Sequence, residues 1–145
     1  MTEPERYAAM LRDEVAPRLR AIGFFGSGRR YVLPDGLEWL VVAFQRNRWN
    51  DEANVEFTIN LFRVAKADWK GARSRHPRMS EQPTGGAVER PGRYLRLHRL
   101  LPTDAQWWAV RAGVDTAVLA GELVEALGRY GVPWLRGEIR HSDEL

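Results

Sequence analysis

The stretch from Leu37 to Val64 constrains the fold most, because it contains two strand patterns joined by a polar loop. Residues Leu37–Phe44 are apolar on both alternating faces, which is typical of a central strand that is covered on each side. In Val55–Phe62, apolar residues at every second position predict one buried face and one mixed face. The segment between them, Gln45–Glu52, carries arginine, asparagine and tryptophan. The sequence therefore predicts a sheet built around these strands, with a polar connecting loop.

Helices and further strands are predicted on either side of this stretch. Apolar residues spaced by three and four predict a helix from Glu3 to Ile22, which Pro17 should bend or split. A last helix is predicted from Asp115 to Tyr130, with Gly131 as its stop. The other predicted strands are Arg29–Leu33, Tyr94–Leu101 and Trp107–Val110, and the last of these has a rival interpretation as a helix that starts at Thr103.

These elements predict the fold class α+β, with one domain over residues 1–136. We expect an antiparallel sheet of about five strands, with two main helices packed on one face. Pro34-Asp35-Gly36 predicts a tight turn in which Asp35 bonds back to the chain and Gly36 accepts a positive φ. Pro102-Thr103-Asp104 predicts another turn. Residues 74–92 are rich in proline and glycine and predict a mobile loop, and residues 137–145 predict a charged, frayed tail.

Composition excludes several classes of function. The 145 residues include no cysteine, so disulfides, thiolate metal sites and cysteine nucleophiles are absent. Neither a phosphate-binding glycine loop nor a Gly-x-Ser-x-Gly elbow occurs, and the three histidines lack the spacing of a local metal motif. No cofactor or metal is predicted. The N-terminus lacks a secretory pattern and no apolar run approaches the ~20 residues of a membrane span, so we expect a cytoplasmic protein.

The basic residues are nearly all arginine, since Lys66 and Lys70 are the only lysines. Selection for guanidinium groups is one possible cause, because they bind carboxylates and aromatic faces better than ammonium groups do. The codon usage of a GC-rich bacterial genome is the other. The formal net charge is only +3, and acidic residues are interspersed with the arginines, so a continuous nucleic-acid-binding face is not expected.

The best candidate for a binding site is the loop after Phe44. Amide and guanidinium donors and one indole follow each other there, in Gln45, Arg46, Arg48, Trp49 and Asn50. Arginine and tryptophan are enriched where proteins bind partners, because both offer large contact areas. A purely structural alternative also exists. In it, Trp49 plugs the end of the sheet, and the two arginines pair with Asp51 and Glu52 in solvent.

Three polar or aromatic residues outside the loop are further candidates. Asn60 interrupts a strand, where asparagine is disfavoured, so it either bonds to Gln45 or a neighbouring backbone group or faces a polar cleft. His98 is the histidine most firmly placed in a predicted strand, although the sequence names no carboxylate to orient it. Trp107 precedes a second tryptophan, and adjacent strand residues point to opposite faces, so at most one ring lines a given site.

Several short motifs occur in an order that resembles a known family. They are Gly23-Phe24, Phe44-Gln45-Arg46, Phe57-Thr58-Ile59-Asn60-Leu61, Trp107-Trp108 and a Gly-x-Pro-Trp ending at residues 131–134. In this order the chain, over roughly residues 7–135, resembles domain-of-unknown-function family 4304. The resemblance implies an α+β domain with a strand at Trp107, and it implies no assigned activity.

The leading functional hypothesis is a non-enzymatic binding or regulatory module, of the immunity type or similar. Its Arg/Trp loop, residues 45–50, would engage an acidic protein partner. The alternative is a small enzyme or small-ligand-binding protein, with a cleft walled by Trp49 or Trp107 and with Gln45, Asn60 and His98 as its polar groups.

Overall fold

A computed structural model describes residues 1–103 and 105–145 and shows an α+β domain built on an antiparallel sheet. The strands, in chain order β1 to β6, are Phe25–Ser27, Arg30–Leu33, Glu38–Arg46, Asn54–Ala65, Arg93–Arg96 and Trp108–Arg111. The sheet order is β1-β2-β3-β4-β5, and β6 also pairs with β4. The predicted fold class is therefore confirmed. The short strand β1 has no counterpart among the predicted strands.

Strand β4 is long enough to pair with two strands along the same edge. Residues 60–63 pair with β5, and residues 54–57 pair with β6. Between β5 and β6 the chain leaves the sheet, first through a 3-10 helix at Leu97–Leu100. The predicted strand from Tyr94 to Leu101 is thus shorter than expected. The predicted strand at Trp107–Val110 is confirmed at 108–111, and the predicted turn through Asp104 ends outside the described residues.

Two π-helical segments, each followed by a proline, join pairs of helices. The helices, α1 to α5, are Glu3–Met10, Ala16–Ala21, Lys66–Arg75, Thr116–Ala126 and Val132–Leu135. π-helical segments at Leu11–Val15 and Leu127–Gly131 join α1 to α2 and α4 to α5. Pro17 and Pro133 lie just beyond these segments, and neither can donate the usual backbone bond. The regular α-helix is thus interrupted just before Pro17 by a wider turn through which the helix continues, and the predicted stop at Gly131 is wrong.

The main core lies between the sheet and the helices on one face. Strand β4 contributes Phe57, Ile59 and Leu61, all fully buried, and the helices contribute residues such as Val15 and Leu123. These residues fall at every second position of the strand and on one stripe of each helix. Hydrophobic burial on this face therefore fixes the register of the strands, because a shift of one residue would expose the whole set.

The opposite face of the sheet is covered by α3 and by the segment that follows it. Val41, Phe62 and Trp69 form a smaller buried cluster there. The Trp69 indole donates to the backbone oxygen atoms of Ser80 and Glu81, each at 3.2 Å. The predicted loop 74–92 therefore lies against the sheet along part of its length. Its mobility stays a prediction.

The C-terminal residues also lie on the sheet. Leu145 pairs with Tyr94 of β5, with N–O distances of 2.9 Å and 3.1 Å. The Glu144 carboxylate accepts a bond from the Trp134 indole at 2.6 Å and pairs with Arg93 at 3.3 Å. The segment is thus held by backbone and side-chain bonds, whereas the sequence predicted a frayed tail.

Candidate binding surfaces

The loop between β3 and β4 is held in place by its asparagines. The Asn50 side chain bonds to the backbone of Glu56 twice, donating to the carbonyl oxygen at 2.8 Å and accepting from the amide at 2.9 Å. The Asn47 side chain accepts from the Trp49 amide at 3.0 Å. Asn50 therefore has a structural role in this loop. Such bonds reduce the conformational freedom that the neighbouring side chains would lose on binding.

Trp49 projects from this loop into solvent, with 78% of its surface exposed. The Arg48 guanidinium carbon lies 4.8 Å from the centroid of the Trp49 ring. Arg46 is also exposed. It lies on the sheet face that packs against the helices, 5.9 Å from the ring of Tyr7. A guanidinium at these distances is attracted by the aromatic face and still presents its N–H groups to solvent.

The structural alternative proposed for this loop is not what the structure shows. Trp49 is exposed rather than inserted into the sheet end. Within residues 1–103 and 105–145, neither Arg46 nor Arg48 forms an ion pair. One Asp51 oxygen instead accepts bonds from the backbone amides of Ala53 and Asn54. The loop therefore exposes guanidinium groups that internal carboxylates do not neutralise.

A network of hydrogen bonds lies on the face of the sheet opposite the main core. The Tyr94 hydroxyl donates to Asn60 Oδ1 at 2.7 Å, and Asn60 Nδ2 donates to Gln45 Oε1 at 2.8 Å. Arg96 Nε donates to the Tyr94 hydroxyl oxygen at 3.3 Å. The Arg96 guanidinium also lies 5.5 Å from the centroid of the Trp107 ring. Cross-strand pairing explains this arrangement, because Asn60 of β4 lies directly opposite Arg96 of β5.

The network forms one wall of a cavity of about 680 Å³. Residues 86–88, 94–96 and 142–145 line it, together with Gln45 and Arg99. A second cavity, of about 570 Å³, adjoins it at Gln45 and Gly86. Arg29, Arg30 and Arg46 line this second cavity, and no carboxylate does so in the described part of the chain. The second cavity is thus basic, whereas the first also has Asp143 and Glu144 in its lining.

The sequence of most of this domain matches the model of one protein family. A family model described as "Domain of unknown function (DUF4304)" matches residues 15–137. The chain belongs to the DUF4304 family. The match confirms the resemblance seen in the motifs, and it includes the Arg/Trp loop and the Asn60 network but not residues 142–145. Comparison with curated proteins and with solved structures found no match.

His98 lies apart from the other polar candidates of this DUF4304 domain. It belongs to the 3-10 helix rather than to a strand, and only 6% of its surface is exposed. Burial lowers the pKa of His98, the nearby Arg99 and Arg96 lower it further, and Asp143 opposes them. The structure brings Gln45 and Asn60 together and leaves His98 outside the cavity lining. The small-ligand alternative that uses all three residues stays a prediction.

Tyr94 and Arg96 are the members of the network that sequence reasoning missed. Their alternation with Leu95 was the available signal, because it places both side chains on the face opposite the main core. The sequence could not show that this face meets Asn60, since strand pairing across more than 30 residues is not a local pattern.

Two negative findings concern the described residues of the DUF4304 domain. No group of three or more histidine, aspartate or glutamate side chains in these residues could hold a metal ion. In the same residues, none of the helices combines the length and apolar character needed to cross a bilayer.

Proposed function

We propose that this domain is a non-enzymatic binding module that engages an acidic protein partner through its Arg/Trp loop, residues 45–50. The observation that carries the proposal is the stacked pair of Arg48 and Trp49. Trp49 is 78% exposed, and Arg48 makes no ion pair within the described chain. Tryptophan and arginine are the residue types most often found at interface hot spots, and here both are exposed on a loop held by hydrogen bonds.

The charge around the loop indicates the kind of partner. Arg46 and Arg48 are exposed, and Arg29 and Arg30 extend the basic surface along the adjoining cavity. The Asp51 carboxylate accepts bonds from backbone amides and pairs with neither arginine within the described residues. A partner with aspartate or glutamate side chains around an apolar contact for Trp49 would complement both features.

A double substitution, R48A/W49A, tests the proposal. Truncation of one hot-spot residue costs about 2–4 kcal/mol of binding free energy, so the double variant should lose the partner almost completely. Both side chains are exposed, and the Tm should therefore stay close to the wild-type value. The measurement is quantitative capture from lysate at increasing salt, with differential scanning calorimetry of the purified variants.

The matched control is Arg129→Ala. Arg129 is also exposed and lies 5.2 Å from the ring of Tyr130, so the substitution removes the same kind of stacked pair from another surface. The control should retain the partner. If R48A/W49A captures the same proteins as the wild type, the loop is not the interface. If its Tm falls strongly, the role of the loop is structural. A binding assay with duplex DNA at low salt separates this function from nucleic-acid binding, and we expect no binding there.

The immunity-type form of the proposal makes a narrower prediction. The captured partner should be a toxin-like protein whose gene adjoins the gene for this chain. A neighbouring biosynthetic gene cluster would instead favour the alternative of a small enzyme or small-ligand-binding protein.

A further inference from the structure

We propose a second binding site, which shares only Gln45 with the Arg/Trp loop, for a small molecule that carries a single carboxylate. The site is the cavity of about 680 Å³ on the sheet face opposite the main core. Its size is within the range of small-molecule pockets, roughly 300–1,000 Å³. It combines fixed hydrogen-bond donors, one guanidinium without a carboxylate partner, and the aliphatic side chains of Val88 and Leu145.

The hydrogen-bond network determines which atoms face the ligand. Asn60 Nδ2 donates to Gln45 Oε1, so the Gln45 amide nitrogen keeps both of its hydrogens for other partners. Arg96 uses Nε to bond the Tyr94 hydroxyl, which leaves its terminal nitrogens available. The Tyr94 hydroxyl in turn donates to Asn60, which is fully buried. Gln45 and Arg96 are thus oriented by a buried group before any ligand arrives.

The charges of the cavity wall select a monoanion. Of the acids in the lining, Glu144 is bonded to Trp134 and Arg93, and Asp143 lies 3.7 Å from Arg99. Arg96 makes no ion pair in the part of the chain that the structure describes, so its charge is not compensated.

One carboxylate balances the Arg96 guanidinium and matches its planar fork. A phosphate dianion would keep one unbalanced charge, because Arg99 and Arg93 are already paired with Asp143 and Glu144.

The apolar part of the lining indicates the rest of the ligand. Val88 and Leu145 contribute aliphatic side chains beside the polar wall. The Trp107 ring lies 5.5 Å from the Arg96 guanidinium and supports it. The preferred ligand is therefore a carboxylate with a short aliphatic or aromatic body, such as benzoate or isovalerate as probes.

An NMR titration of the full chain with benzoate and isovalerate tests the site. We expect saturable shifts of the Gln45 side-chain amide and of the Arg96 Nε–H signal. Benzamide, which has the same ring without the charge, and inorganic phosphate should bind at least tenfold more weakly. Arg96→Met, which keeps the length of the side chain, should weaken benzoate binding at least tenfold. Arg96→Lys should lose less, because it retains the charge.

Two further variants show whether benzoate binds at this cavity or to exposed arginines in general. Arg129→Met removes an arginine elsewhere and should leave benzoate binding unchanged. R48A/W49A should also bind benzoate normally, so a failure of the loop proposal does not affect this one. The proposal is overturned if neither carboxylate gives saturable shifts, if benzamide or phosphate binds as well as benzoate, or if folded Arg96→Met binds like the wild type.

Discussion

Substitution of Gly92 by alanine tests how closely the segment after α3 packs on the sheet. Gly92 is buried, and a Cβ atom built there would overlap three atoms of the Phe62 ring. The φ angle of Gly92 lies outside the left-handed region, so backbone strain adds nothing. Phe62 is fully buried and meets Trp69 edge-on, with ring centroids 6.2 Å apart. The ring cannot move outward without displacing its neighbours.

The expected cost follows from overpacking. Forcing an extra methyl group into a filled core typically costs about 1–3 kcal/mol. For a domain of this size, that corresponds to a fall in Tm of about 3–10 °C. Urea denaturation and calorimetry of the purified variant measure both quantities.

Gly71→Ala is the matched control, since the same change there should have the opposite sign. Gly71 lies inside α3, and its added Cβ would meet only the far end of the Arg75 side chain, at 3.7 Å. Alanine inside a helix is more stable than glycine by about 0.5–1 kcal/mol. A double variant completes the test. Phe62→Leu alone opens space, so combining it with Gly92→Ala should cost less than the sum of the two, by at least about 0.5 kcal/mol. If Gly92→Ala is as stable as the wild type, the segment does not pack on Phe62 in solution.

Three further predictions concern buried or half-buried polar groups. Thr58→Val should leave the free energy of unfolding unchanged or raise it by up to about 1 kcal/mol, because no described residue bonds to the buried hydroxyl; a clear loss in urea denaturation would contradict this. Burial alone would raise the pKa of Glu144, but bonds from Trp134 and Arg93 help to lower it below its ordinary 4.5. The carboxylate therefore stabilises the fold above pH 4.5, and this is lost as pH falls through the folded pKa, so Glu144→Gln should differ most from the wild type near pH 7 and converge with it in acid. Burial lowers the pKa of His98 below 6.5, and an NMR titration midpoint at or above 6.5 would refute that environment.

Local chemistry was sufficient to predict most of the elements. Alternation in Val55–Phe62 and the apolar run of Leu37–Phe44 correspond to β4 and β3. Asp35 accepts from the amides of Leu37 and Glu38, each at 2.9 Å, as the turn prediction required. Gly36, however, is not among the glycines with positive φ, so the turn is made by the bonds of Asp35 rather than by left-handed backbone.

The errors arose where a local sequence rule did not show how the chain continues. Pro17 and Gly131 are poor helix residues, but each lies in or beside a π-helical turn. The backbone bonds across these turns span five residues, as from Ala16 to Leu11, so the helix continues past the interruption. Similarly, nothing near residues 97–100 shows that β4 takes a second partner strand further along.

The candidate surfaces show the same limit, and strand alternation explains why they can be separated. Gln45 and Arg46 are adjacent in β3 and point to opposite faces of the sheet. Gln45 meets the Asn60 network, whereas Arg46 lies over Tyr7 of α1 on the helical side. Sequence alone identified both residues as polar at the end of an apolar strand, but it grouped them in one site. Both residues line the second cavity, but the two proposed sites share only Gln45. Substitutions at Arg48 and Trp49 should therefore affect protein capture alone, and substitutions at Arg96 should affect carboxylate binding alone. A variant of either kind that impaired both activities while remaining folded would show that the two faces form a single site.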